Sequence, residues 1–363
     1  MPGLKKEAPA SSTGARKALS IGIQYREEYV KKDAPRKLES THGDSEVIKK
    51  ILTQFYGYKE EDIVVMKDDG VHTLPTRENI LRAIDDLVKD AKAGDRFVFH
   101  FSGHGAQVTD ESGDEEDNMD EVIWPVDIIY DQELDEGVGN YIVDDVGIFR
   151  YPIPAFGNND CHRTQELRER LIDALPAGTY LTILLDCCHS GTGVDLPEIR
   201  SDSDDEIDQM LHKLWSPISP KARSVAPFSH LSRKASGRGP VKLTSQKRGT
   251  IMEELGVFIE KEIEEVKSGV YHEKHVTSWA ACVDDTLELE SADGGMLTMA
   301  FWNVLHKNQN WTHLELYKAI AEHLVRYARR GKKQVLEMGL SYPKPVLSSL
   351  TKLDLIHPLP FSF

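Results

Sequence analysis

Two rhythms of apolar residues take turns along the chain. Short apolar runs stand at residues 18–23, 63–66, 97–101 and 181–185, each bounded by polar or glycine-containing segments, the mark of buried strands. Between them apolar residues recur every three or four positions. Val47, Ile48, Ile51, Leu52 and Phe55 make one such stripe, starting near Asp44 and stopped by Gly57. Ile80, Ala83, Ile84, Leu87 and Val88 make a second, with Thr76 as its expected N-cap and Gly94 near its end. Strand, helix, strand, helix, strand at these lengths predicts an α/β fold on a mostly parallel sheet flanked by helices.

The remainder is sorted the same way. Residues 25–40 read as polar loop, 122–126 as a short strand, 142–143 as a strand after a Gly-rich connector, and 166–175 as a helix leading into the strand at Tyr180. Beyond Pro197 the periodicity stops. Residues 198–209 are mostly acidic, and 221–248 hold eight Lys or Arg and no acid among Pro, Gly and Ser, so 199–248 is expected to be a flexible insertion. A helical pattern resumes at 251–266, followed by a buried strand at 276–283, helices at 296–305 and 314–327, and a terminal strand near 335–340.

At 363 residues the chain can bury a large core. Its formal charge of −16 argues against general nucleic-acid or anionic-membrane binding and favours cationic partners. Four cysteines are too sparse for a disulfide scaffold, and the adjacent Cys187 and Cys188 suit a reduced, cytoplasmic site, with the nucleus also open. Residues 1–17 are polar and basic and contain no apolar signal segment, and no run of the sequence is long and apolar enough to suggest a membrane span.

The chemistry gathers at two strand ends. The run at 181–185 stops at Asp186-Cys187-Cys188-His189-Ser190-Gly191, and the run at 97–101 stops at Ser102-Gly103-His104-Gly105. One end offers a thiol and the other an imidazole, the pair a cysteine hydrolase needs. Strand alternation turns Cys187 to the opposite face, which leaves Cys188 as the expected nucleophile and His104 as its base. His189, adjacent on an extended segment, is expected to be structural. The backbone N–H groups of Gly103 and Cys188 are candidate oxyanion donors. A zinc site from Cys187, Cys188, His189 and His104 lacks CxxC-type spacing, and no P-loop is present. Residues 110–121 place eight carboxylates in twelve positions, which reads either as a solvated loop or as part of a hard-cation site. The spacing is not that of an EF-hand, so a calcium site would need distant carboxylates, with Asp144, Asp145 and Asp195 as candidates.

Residues 100–107, His-Phe-Ser-Gly-His-Gly-Ala-Gln, together with Asp186-Cys187-Cys188-His189-Ser190-Gly191, resemble the catalytic pair of type I metacaspases, in the caspase-like clan of cysteine peptidases. The segment 113–127 resembles the acidic loop and following strand of fungal members. The likeness runs over 18–197 and resumes over 279–349. It implies a caspase-like sheet with one antiparallel edge, a larger catalytic region at 18–198, and a smaller region at 249–363 that completes the same domain. It implies cleavage after Arg or Lys rather than Asp, with His104 and Cys188 as the catalytic dyad and Asp44, Ser102 and Asp186 forming the pocket for the basic side chain. It also implies regulatory Ca2+ held by Asp120, Asp144, Asp145 and Asp195, and self-cleavage in the basic insertion, where Lys221, Arg223, Arg233, Lys234, Arg238, Lys242, Lys247 and Arg248 are candidate sites. Relatives act in cell-death signalling or aggregate handling, and they are generally monomeric.

Two departures from the family pattern stand out. Ser40-Thr41-His42-Gly43-Asp44 replaces the frequent Gly-Cys-x-Asn-Asp, keeping the acid and losing a second cysteine. Residues 1–17 stand where many fungal relatives carry a long Pro/Gln-rich prodomain, which suggests a form without one or a trimmed one. The competing reading is a caspase-like signalling or scaffold protein with little peptidase activity.

Overall fold

The apolar runs become neighbouring strands of one sheet. The computed structural model describes residues 14–30, 35–109, 119–134, 136–143, 146–149, 162–165, 167–187, 196, 198–200, 273–280, 294–329, 345–351 and 363. The first part of the chain contributes β1 (Arg16–Gly22), α1 (Thr41–Phe55), β2 (Ile63–Lys67), α2 (Arg77–Val88) and β3 (Arg96–Ser102). Short strands follow: β4 (Gly105–Thr109), β5 (Met119–Ile123), β6 (Ile129–Asp131), β7 (Glu136–Gly139), β8 (Ile142–Val143), β9 (Val146–Phe149) and β10 (His162–Gln165). The sheet is completed by β11 (Tyr180–Asp186), β12 (Glu198–Arg200), β13 (His275–Ala280) and β14 (Val346–Ser349), with α3 (Met296–Leu305) and α4 (His313–Ala328) between the last two strands.

The seven-stranded sheet runs β12-β14-β13-β11-β3-β1-β2. Strands β13, β11, β3, β1 and β2 are mutually parallel, and β14 runs against both of its neighbours. This is the mostly parallel α/β sheet with an antiparallel edge region that the sequence predicts. In register, Gly22 pairs with Ser102 and Ser102 with Asp186, so β1, β3 and β11 end level with one another. The C-terminal ends of parallel strands are where α/β proteins place their chemistry.

Period-two alternation sorts the side chains between two cores. Leu19, Ile21, Ile23, Phe97, Phe99, Phe101, Leu181, Ile183 and Leu185 pack on one face with Ile80, Ile84 and Leu87 of α2. Ala18, Val98, Leu184 and Trp279 pack on the other with Ile48 and Ile51 of α1, Phe301 of α3 and Ile320 of α4. Burial of each large apolar side chain contributes about 1.5–3 kcal/mol. The second face also carries polar residues on the strands themselves: Ser20, His100, Ser102 and Asp186, all buried.

Boundaries differ from expectation where pairing overrides local pattern. Thr76 caps α2 as expected, its hydroxyl accepting from Asn79 N–H at 3.3 Å. Strand β5 sits at 119–123 rather than 122–126 because it pairs back onto β4, while Pro125, lacking an N–H, cannot extend the ladder. The expected helix at 166–175 is a π-helical stretch, Arg168–Asp173, in which Ala174 N–H reaches Glu169 C=O. Pairing of β12 with β14 carries the sheet to Arg200. The helical pattern at 251–266 and the strand near 335–340 lie outside the described residues, as do residues 201–248.

Candidate active site

Asp44 lies in the first turns of α1, fully buried. Its Oδ2 accepts from the Ser102 hydroxyl at 2.7 Å, and its Oδ1 accepts from Gly295 N–H at 2.9 Å. Asp186, at the end of β11, accepts from Leu297 N–H at 3.2 Å and Thr298 N–H at 2.8 Å, the opening amides of α3. Both carboxylates thus converge on the N-terminal end of one helix, whose backbone amides point at them. Glycine is required at the approach. A Cβ on Gly295 would lie 2.2 Å from Asp186 Oδ2, and Gly294, at φ +141°, would set one 2.8 Å from Asp44 Oδ1. The structure therefore brings together Asp44, Ser102 and Asp186, the three residues expected to read a basic side chain.

Beneath them His100 is buried in the middle of β3. Its Nδ1 is 2.8 Å from Ser20 Oγ and its Nε2 is 3.3 Å from Thr298 Oγ1. Burial pushes its pKa down to about 4, partly opposed by the charge of Asp186. It stays neutral and ties β1 and β3 to the helix that holds Asp186.

His104 stands two residues beyond β3. Its Nε2 is 2.6 Å from the Arg36 carbonyl oxygen. A carbonyl only accepts, so Nε2 carries the proton and the basic lone pair is on Nδ1. The ring rests against Tyr25, with centroids 4.7 Å apart, and Trp124, at 5.5 Å. Cys187 is buried in the core on the α2 face, opposite Asp186, as strand alternation demands.

Residues 16–147 match the family Metacaspase, peptidase C14 domain. Over that region the chain is similar to the metacaspases. Metacaspase-1 of Kluyveromyces lactis is 42% identical over 187 residues, covering 51% of this chain and 35% of that protein. Metacaspase-1A of Aspergillus terreus is 29% identical over 351 residues, covering 92% of this chain and 72% of that protein. Caspase-1 from Spodoptera frugiperda superimposes at a TM-score of 0.46 with 11% identity, over 93% of this chain and 87% of its own. The alignments to the first-ranked curated relatives span between 34% and 39% of those proteins' length.

Several residues of the metacaspase pattern fall outside the described residues: Cys188, Asp144, Asp145, Asp195 and all eight candidate self-cleavage sites. Cys187 precedes Cys188 directly beyond β11, and Val143 of β8, which pairs with Val122, precedes Asp144. Asp120 is fully buried on β5, opposite Val108 of β4, the strand that follows His104. Among the described residues no three of His, Cys, Asp or Glu cluster as metal ligands do, and no helix is long and apolar enough to cross a membrane.

Sequence reasoning missed Tyr25, Thr298, the Gly294-Gly295 turn and the Arg36 carbonyl. Tyr25 had a signal: it continues the Leu19, Ile21, Ile23 parity onto the core face. The others act through backbone atoms or contacts far apart in sequence, which local patterns do not report.

Proposed function

We propose that this chain is a cysteine endopeptidase that cleaves after Arg or Lys and is regulated by calcium. The observation that carries the reading is the register of β3 against β11. Ser102 pairs with Asp186, and His104 and Cys188 each follow a paired position by two residues, at strand ends about 4.8 Å apart. Cys188 gives its proton to His104 Nδ1 and attacks the scissile carbonyl, with the N–H groups of Gly103 and Cys188 receiving the oxyanion. His104 then protonates the leaving amine, and water hydrolyses the thioester. Asp44 and Asp186, anionic and buried, favour a guanidinium or ammonium over a P1 carboxylate, which they would repel.

Carboxylate oxygens at Asp120, Asp144, Asp145 and Asp195 are the donors a hard cation takes, and the complete burial of the Asp120 carboxyl on β5 fits a ligand role. Calcium held there would link Asp195, seven residues beyond the nucleophile, to Asp120 on β5. Self-cleavage falls in the basic stretch 221–248.

A fluorogenic peptide ending in Arg is expected to be cleaved in the presence of calcium, an Asp-ending peptide not, and Cys188→Ala to release nothing. Equal release without calcium removes the regulatory part of the proposal. Release from neither peptide by a folded, calcium-loaded protein overturns the peptidase reading.

A further inference from the structure

We infer that Tyr25 is a positioning residue for His104, and that Asp68 and His42 hold it in place; the inference rests on the peptidase reading above. Three hydrogen bonds close a ring around the His104 backbone. His104 N–H donates to Tyr25 Oη at 2.9 Å, Tyr25 Oη donates to the Trp124 carbonyl at 2.6 Å, and Trp124 N–H donates back to the His104 carbonyl at 3.0 Å. Both backbone polar groups of the base are thus fixed, while its imidazole contacts the rings of Tyr25 and Trp124. Burial raises the pKa of the Tyr25 hydroxyl well above its ordinary value, so it remains a donor.

The same hydroxyl sets the path of the next residue. A Cβ at Gly103 would lie 3.0 Å from Tyr25 Oη and 2.8 Å from the Phe101 ring, so only glycine passes there without displacing the tyrosine. Gly103 is the residue whose N–H is assigned to the oxyanion. Tyr25 therefore touches both the base and its oxyanion-donating neighbour from behind, on the side away from Asp44 and Asp186.

Tyr25 occupies this place at the cost of an unusual backbone. Its φ is +56°, a left-handed conformation that a bulky aromatic residue adopts only when its surroundings hold it. The restraint is Asp68, whose side chain is fully buried just beyond β2. Asp68 Oδ1 accepts from Gln24 N–H at 2.8 Å and Oδ2 from Arg26 N–H at 2.9 Å, one bond on each side of Tyr25. His42 Nε2 of α1 lies 2.6 Å from the same carboxylate, and these bonds hold the Asp68 carboxyl below its ordinary range against the opposing effect of burial. The clamp joins β2 and α1 to the loop that carries the tyrosine.

Tyr25→Phe removes one oxygen and leaves the ring. In a folded protein with calcium present, kcat on the Arg peptide is expected to fall about 10- to 100-fold with KM within about twofold of wild type, because the base shifts while the basic-residue pocket does not. Alkylation of Cys188 by iodoacetamide near neutral pH is expected to slow in parallel, since the thiolate depends on its imidazolium partner. Asp68→Asn keeps the Tyr25 hydroxyl, weakens the clamp, and is expected to shift kcat in the same direction by less. A folded Tyr25→Phe or Asp68→Asn protein with wild-type kcat overturns the inference, as does a loss confined to KM. Wild-type protein that shows no Cys188-dependent cleavage overturns the peptidase reading and this inference with it, which separates the two failures.

Discussion

A histidine fully buried in a strand must be neutral or paired, and His100 is neutral. Its folded pKa of about 4 lies below the ordinary 6.5 of the unfolded chain. Between those values the unfolded chain binds a proton that the folded protein does not, so the stabilisation is fully present above pH 6.5 and is lost as pH falls toward 4. That difference corresponds to about 3 kcal/mol. Thermal unfolding followed from pH 7.5 to 4 should show that loss, and His100→Gln should flatten it; parallel pH dependences for the two proteins would refute the account. His313, also pushed down to about 4, by burial and by nearby His275, adds a contribution of the same sign that the His100 variant leaves in place. At this scale the sequence was informative about types and silent about partners. Ser20 and His100 stand out as polar residues inside apolar runs, yet nothing local links them to each other or to Thr298, 198 residues from His100.

The N-terminus of α3 is the element that holds the two carboxylates of the proposed basic-residue pocket. It donates from Gly295, Leu297 and Thr298 to two carboxylates on two other elements, α1 and β11. Gly295→Ala forces a methyl group against Asp186 Oδ2, a close-packing error of about 1–3 kcal/mol that must displace the carboxylate, the helix or both. The expected result is a KM for Arg peptides raised at least about tenfold, with Cys188 alkylation near the wild-type rate. An unchanged KM in a folded Gly295→Ala protein would show that the carboxylate contacts do not govern recognition. The helix was legible at its stated bounds from hydrophobic spacing; α4, expected at 314–327, runs from His313 to Ala328 behind a Thr312–Glu315 capping box that the spacing alone did not report. The use of the α3 N-terminus was not legible, because Gly-Gly before an apolar run reads equally well as a plain turn.

Taken whole, the molecule interleaves its two sequence halves in one sheet. Strand β11 pairs with β13 across residues 201–272, and β12 pairs with β14. A chain cut anywhere in 221–248 therefore stays held by strand pairing and by the core shared between α1 and α3. Calcium-treated protein is expected to yield fragments on a denaturing gel that co-elute as one particle in gel filtration, with Cys188→Ala remaining a single band. Fragments that separate under native conditions would contradict this account of the sheet, and fragments that persist in Cys188→Ala would assign the cut to another protease.

The order of β1, α1, β2, α2, β3, β11, β13, α3 and α4, the mostly parallel sheet they build and the chemical types at two strand ends were determined by the sequence alone. They rest on periodicity and on residues that terminate elements, both of which are local properties. The tertiary structure decided which strands are neighbours, and hence that Ser102 lies level with Asp186. It decided that Asp44 and Asp186 meet at one helix end, across 251 and 111 residues of chain respectively, and that the Tyr25 hydroxyl lies behind His104, 79 residues away. Contacts at such separations follow from which faces bury together once the sheet has formed, and a pattern read a few residues at a time does not contain them.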